Sequence, residues 1–299
     1  MFTLIRVASV ASILALRWLV DPWSYFSLFV AVLFGHYVLA GWYGRRRVKP
    51  VVTGQISLLV LVGFIALVVL PPVLMLPPFL LLPPLALYVY FGSHHALTEG
   101  YMVVGRKAGS LDPAETRLLI SRVVLAFVGF CAIMIRDPRV TAVIEIPFVM
   151  AFGVLGLSFA AFVICLIPVA KKLERSMLLD VIGFEVAGVA TSCIVLFTEV
   201  HFFDAAFYHL FVWIYLPLYQ LRDTKQRVKF VGQTAAVSAF FLVFTPLIGV
   251  FSALTYEFWV LQCFLWSYVH ISSSFAFSGF NPKWIARLFT PRVAASSTA

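Results

Sequence analysis

The sequence predicts an all-α fold: a polytopic integral membrane bundle of about ten transmembrane helices with both termini in the cytoplasm. Three observations carry this expectation. The 299 residues are 62% hydrophobic and only 12% charged, with a mean hydropathy of +1.01, whereas soluble domains are about half apolar and roughly a quarter charged. Apolar runs of about 20 residues, the length needed to cross the hydrocarbon, recur along the whole chain. Lys and Arg gather in alternate connecting loops.

The first run covers residues 3–20. It starts like a signal peptide, with Arg6 ahead of a short apolar stretch. Arg17 interrupts that stretch and no clear small-x-small cleavage site follows, so it reads as a retained first helix. Further runs cover 24–44, 51–70, 79–105, 118–135, 140–168, 177–197, 199–221, 230–253 and 257–279. All should be helices, because open strands in lipid leave backbone groups unsatisfied.

Between the third and fourth runs lies PPVLMLPPFLLLPP, residues 71–84. Proline removes a backbone donor and disfavours helix in the residue before it. This stretch reads as a broken or extended cap, which shifts the fourth span toward 85–105. The loop 106–117, RKAGSLDPAETR, carries helix-start chemistry: Asp112 as N-cap, Pro113 at N1 and Glu115 at N3.

A cytoplasmic N-terminus places seventeen Lys and Arg on the inner side and only Arg17, Arg136 and Arg139 on the outer. The alternation survives all ten segments and puts both termini inside. The localisation expected is a bacterial inner (plasma) membrane. One transmembrane domain spans 1–280. The tail 281–299 starts as FNPKWIARLF one residue earlier and reads as a short basic amphipathic helix on the anionic inner surface. The net charge of +9 is explained by these loops, so nucleic acid is not expected as a partner. Membrane lipids are.

Cys131, Cys165, Cys193 and Cys263 all fall inside apolar runs with no CxxC. They read as small buried apolar residues. Trp18, Trp23, Trp42, Trp259 and Trp284 fit interfacial belts. The aromatic-rich spans could pack against lipid or line a pocket for a long apolar ligand. Glu145 and Arg122 read as snorkelling or paired.

The chemistry gathers in the fourth run, LALYVYFGSHHALTEGYMVVGR, residues 85–106. Ionisable groups at mid-membrane depth are costly, and those that occur face the interior and serve function. His94, His95 and Glu99 lie in this run, and His36, His209 and His270 fall near the midpoints of three others. At 1.5 Å per residue all five histidines sit within roughly 6 Å of the bilayer midplane. His201 sits at an outer end. Neutral imidazole is a ligand for iron, zinc or copper, so the candidate metal ligands are His36, His94, His95, His209 and His270. His94 and His95 are alternatives for one place. Glu99, four residues after His95, shares its helix face and could bind metal or orient a ligand. Glu185, Asp204 and the hydroxyls of Tyr37, Tyr208 and Tyr268 are further candidates for that supporting role.

The order of these motifs resembles the Brp/Blh family of membrane β-carotene 15,15′-dioxygenases. The matching residues are Gly35-His36, then His94-His95-Ala96-Leu97-Thr98-Glu99, then Tyr208-His209 in an aromatic span, then Tyr268-Val269-His270 in the last span. They extend over positions 33–275. Two places depart: Tyr37-Val38-Leu39-Ala40 follows the first histidine where the family has Gly-Ala-Leu-Asp, and Trp213 stands where the family carries a further histidine. The resemblance implies Fe(II) held by histidines of several spans, with another transition metal as a variant, and cleavage of a carotenoid or polyene by O₂. The expectation is therefore a membrane-embedded non-haem iron oxygenase acting on a lipophilic small molecule. A transporter using midplane His and Glu for a proton or ion, or a non-enzymatic assembly factor, is the alternative.

Overall fold

The computed structural model describes residues 1–52, 82–104, 111–141, 145–198, 200–251, 263, 266–271 and 274–275. All regular structure among them is helical. The order is α1 (Phe2–Leu19), α2 (Pro22–Val52), α3 (Leu82–Val104), α4 (Pro113–Met134), a single turn (Pro138–Thr141), α5 (Phe148–Ala170), α6 (Arg175–Leu196), α7 (Phe202–Gln220) and α8 (Thr224–Phe251). A last helical stretch covers 266–271. All but the first two residues of the expected third span, most of the Pro-Pro segment, much of the expected last span and the basic tail lie outside the described residues. Six of the helices, α1, α2, α4, α5, α6 and α8, are long and apolar enough to cross a membrane.

Local sequence sets the helix ends. Asp112 caps α4: its carboxylate accepts from the backbone N–H of Ala114 (2.8 Å) and Glu115 (2.9 Å), while Glu115 accepts from the Asp112 N–H. This is a reciprocal capping box, at the helix start anticipated for this loop. The Lys172 ammonium, 2.6 Å away, together with these N–H groups holds the Asp112 carboxyl below its ordinary range. Helix α3 begins at Leu82 with Pro83 and Pro84 in its first turn, where proline removes no intrahelical bond. The span expected over 140–168 starts instead at Phe148, because Pro147 occupies the N-cap in an extended conformation. The first helix is capped from outside: Asp180 of α6 accepts from the N–H of Phe2 and Thr3 and from the Thr3 hydroxyl.

Helix α1 packs against α6 and α7, α2 against α7 and α8, α3 against α4, and α4 against α5 and α6. Two apolar cores result. One joins Phe29, Val30 and Phe34 of α2, Tyr88 and Phe91 of α3, Phe207 and Leu210 of α7, and Ile271. The other joins Leu118 and Leu125 of α4, Leu155 and Phe162 of α5, and Val181 and Phe184 of α6. The opposite face of α5 presents Leu157, Ile164 and Ile167 outward, each more than 60% exposed. A stripe of that kind needs an apolar surrounding, which a bilayer supplies.

Two close approaches depend on glycine. A Cβ on Gly35 would lie 2.6 Å from the Ser238 hydroxyl, so α8 can pass close to α2 only because position 35 has no side chain. A Cβ on Gly188 would overlap the Arg6 guanidinium. That guanidinium is held by several partners, described below, and cannot swing away without breaking them. Gly188→Ala is therefore expected to lower stability by about 1–3 kcal/mol, read as a drop in the apparent Tm in detergent. Gly156→Ala, where a Cβ meets open space, should stay within about 0.5 kcal/mol of the parent.

Candidate metal centre

Five of the six histidines converge. His36 comes from α2, His94 and His95 from α3, His209 from α7 and His270 from the 266–271 stretch. One ring nitrogen from each of His36, His209 and His270 lies within 4.8 Å of the other two. His36 Nε2 and His270 Nε2 are 3.1 Å apart. Two nitrogens bound to one divalent ion at about 2.1 Å each, at roughly 95–110°, stand about 3.1–3.4 Å apart. The pair thus has the separation that either a hydrogen bond or a shared ion imposes.

His94 borders this group. Its ring centroid is 5.1 Å from that of His209 and 5.6 Å from that of His270. Among the described residues its Nε2 is buried with no hydrogen-bond partner, and so is His36 Nδ1. Buried polar nitrogens are normally satisfied, and a cation held beside the three-histidine group would satisfy His94 Nε2. The all-imidazole donor set fits a first-row transition metal. His95 turns to the other side of α3. Its Nε2 is 3.5 Å from Glu99 Oε1, and its ring packs edge-on to Tyr208 at 5.3 Å.

Aromatic side chains enclose the group. Trp213 lies edge-on to His36 with centroids 4.4 Å apart. Phe275 contacts His94, and Phe91 contacts His209. Tyr37 shares a 2.5 Å hydrogen bond with Ser267 and packs near His270. Tyr268 stacks on Tyr90.

Glu99 does not join the three-histidine group. Its Oε2 accepts from Arg6 and its Oε1 accepts from the Tyr208 hydroxyl at 2.6 Å. Arg6 also donates to Tyr208 Oη (2.9 Å) and to the Phe184 carbonyl, and lies 3.5 Å above the Phe184 ring. Glu185 accepts from Arg122 Nε at 2.6 Å and faces Arg6 Nη1 at 3.9 Å. Arg122 also donates to the Gly100 carbonyl. Two cations and two anions thus form a neutral, buried quartet across α1, α3, α4 and α6. Arg122, expected to snorkel or pair, is paired. The role of Arg6 was not anticipated. The signal was present: Arg6 and Arg122 are the two basic residues left once loop charges are assigned, and Glu99 and Glu185 match them in number.

Asp204 stands elsewhere. It accepts from Tyr25 Oη, Arg17 and the His201 N–H at the start of α7. His201 is the N-cap of that helix, eight residues and roughly 12 Å of helix before His209.

No family model, no curated protein and no solved structure matches the chain. Fold and site alone define its class: a protein whose described residues are all-helical, with six helices of membrane-spanning length and character and a three-histidine group in which His36 and His209 are buried and His270 is half-buried.

The quartet is expected to carry a large share of stability. Arg122→Ala leaves Glu185 without its close partner, a loss of about 3–5 kcal/mol for a buried pair. In detergent this should appear as failure to purify in a monodisperse form or as a large fall in Tm. Lys172→Ala, which breaks an exposed pair with Asp112, should leave the melt unchanged. Equal effects from the two would show that burial of the quartet does not govern stability.

Proposed function

We propose that the protein is a membrane-embedded oxygenase that uses Fe(II) and O₂ on a lipophilic, carotenoid- or polyene-like substrate. The observation that carries this reading is the approach of His36, His209 and His270 from three separate segments to within 4.8 Å. His94, with its unpartnered Nε2 beside them, is the fourth ligand in this reading, and His95 the second side of the same helix. Bound iron would supply the activation of O₂. The chain's own residues hold the ion through neutral imidazoles, and the rings of Trp213, Phe91 and Phe275 keep bulk water from it. Glu99 acts from a distance by fixing His95 and Tyr208 rather than as a ligand.

The same reading includes about ten spans with both termini cytoplasmic, in a bacterial inner membrane. The Lys and Arg asymmetry of the loops supports it. The transport alternative gives Glu99 to a moving proton or ion. Its closed pairing with Arg6 and Tyr208 supports the fixed role instead.

The test is metal analysis of detergent-purified protein beside a His209→Ala variant. The expected result is near-stoichiometric iron in the parent and at least tenfold less in the variant, with O₂-dependent polyene cleavage only in the parent. Absence of metal from both, after anaerobic reconstitution with Fe(II), would falsify the enzyme reading. A bound metal other than iron that His209→Ala removes would keep the site and overturn the choice of iron.

A further inference from the structure

A cavity of about 980 Å³ lies between α1, α4, α6 and α7. Most of its wall is apolar: Ile13, Leu14, Leu125, Phe130, Leu155 and Val189 line it. One polar part of the wall consists of Arg6, His95, Glu99, Glu185 and Tyr208, and a second charged part consists of Arg17 and Asp204, which pair with each other at 3.2 Å. None of His36, His94, His209 and His270 lines it, so this space is separate from the three-histidine group. At its polar part, Arg6 Nη1 and Glu185 Oε2 stand 3.9 Å apart. That is too far for a direct hydrogen bond and close enough for one oxygen to touch both. Arg6 is 5% exposed and Glu185 2%. Among the described residues, three of the five guanidinium N–H groups are used, on Tyr208, Phe184 and Glu99.

We propose that this cavity binds a molecule with a long apolar body and one neutral hydroxyl, the hydroxyl bridging Arg6 and Glu185. A hydroxyl both donates and accepts. It can donate to the Glu185 carboxylate and accept from the Arg6 guanidinium, completing the gap between them. The charge of the wall selects against other ends. At the gap, Arg6 and Glu99 balance and Glu185 is balanced by Arg122 behind the wall, while Arg17 and Asp204 balance each other, so a carboxylate would face Glu185 and Glu99 across a low-dielectric space, and an ammonium would face Arg6. Either brings an unpaired buried charge, which costs far more than a neutral group. A pure hydrocarbon leaves the gap unbridged. The volume lies within the range of sites that enclose most of a small ligand. The occupant would be the substrate only if the oxygenase reading holds; binding itself needs no metal.

The test uses full-length protein in nanodiscs, both as purified and after chelator treatment. Retention of radiolabelled hexadecanol is compared with that of hexadecanoic acid, hexadecylamine and hexadecane. The expected result is about one alcohol per protein, with at least a tenfold preference over each of the other three, in both preparations. Ala15→Trp, at an exposed position on the cavity wall, should reduce alcohol retention at least tenfold. Ala126→Trp, deeper in the wall, should do the same, and the parent melt in Ala15→Trp will show that folding is intact. Equal retention of the four molecules, or alcohol binding that survives Ala15→Trp in folded protein, overturns the proposal. Chelation separates the two ideas, because loss of metal leaves the cavity and its preference in place.

Discussion

A carboxylate held in an apolar interior must be neutralised, because the cost of desolvating an isolated charge is many times the stability of a domain. Glu99 meets that requirement through Arg6, and the pairing fixes much else. Arg6 is on α1 and Glu99 on α3. Tyr208 of α7 bonds to both, and the Phe184 carbonyl and ring of α6 hold the guanidinium from the other side. Glu185 and Arg122 extend the same set to α4. Five helices are therefore tied at one level by directional, charge-assisted bonds. Apolar packing alone has no such directionality, and within lipid it gives helices little reason to prefer one register over another. A substitution that removes one charge leaves another buried and unpaired, so the set behaves as a unit.

The histidine group depends on the same helices. His95 lies one turn before Glu99, and His209 follows Tyr208 directly. Fixing Glu99 and Tyr208 therefore fixes the rotation of α3 and α7 about their axes. Successive residues on a helix point about 100° apart. With His95 turned to Glu99, His94 is turned to His209 and His270. The aromatic jacket then sets the remaining freedom: Trp213 and Tyr37 bound His36, and Phe275 bounds His94. Position and enclosure thus come from different parts of the sequence.

The membrane class and most helix positions were legible because lipid imposes length and composition on every span. The capping box at Asp112 was legible because its chemistry is local. Convergence of the histidines was readable as depth: equal distance from span midpoints means equal height, and groups at one height can meet. Which of them meet was not readable, because depth carries no information on rotation. His94 and His95 could not be separated by position, and the structure separates them through Arg6, a residue 88 positions before His94. Asp204 was a candidate for a supporting role at the site, yet it serves the start of α7 with Tyr25 and Arg17. The break before α5 was missed because hydropathy does not register the backbone constraint of Pro147, which stands at the N-cap where that helix begins.

The two faces of α3 pose one further constraint. His94 faces the three-histidine group, and His95 and Glu99 face the cavity. His95 and His209 form one link between them, with ring centroids 5.8 Å apart. In the proposed reading, a molecule lying with its hydroxyl between Arg6 and Glu185 is anchored on the His95 and Glu99 side of α3, across the helix from His94. An enzyme that holds its substrate by one end and reacts at a fixed distance from that anchor would select by length.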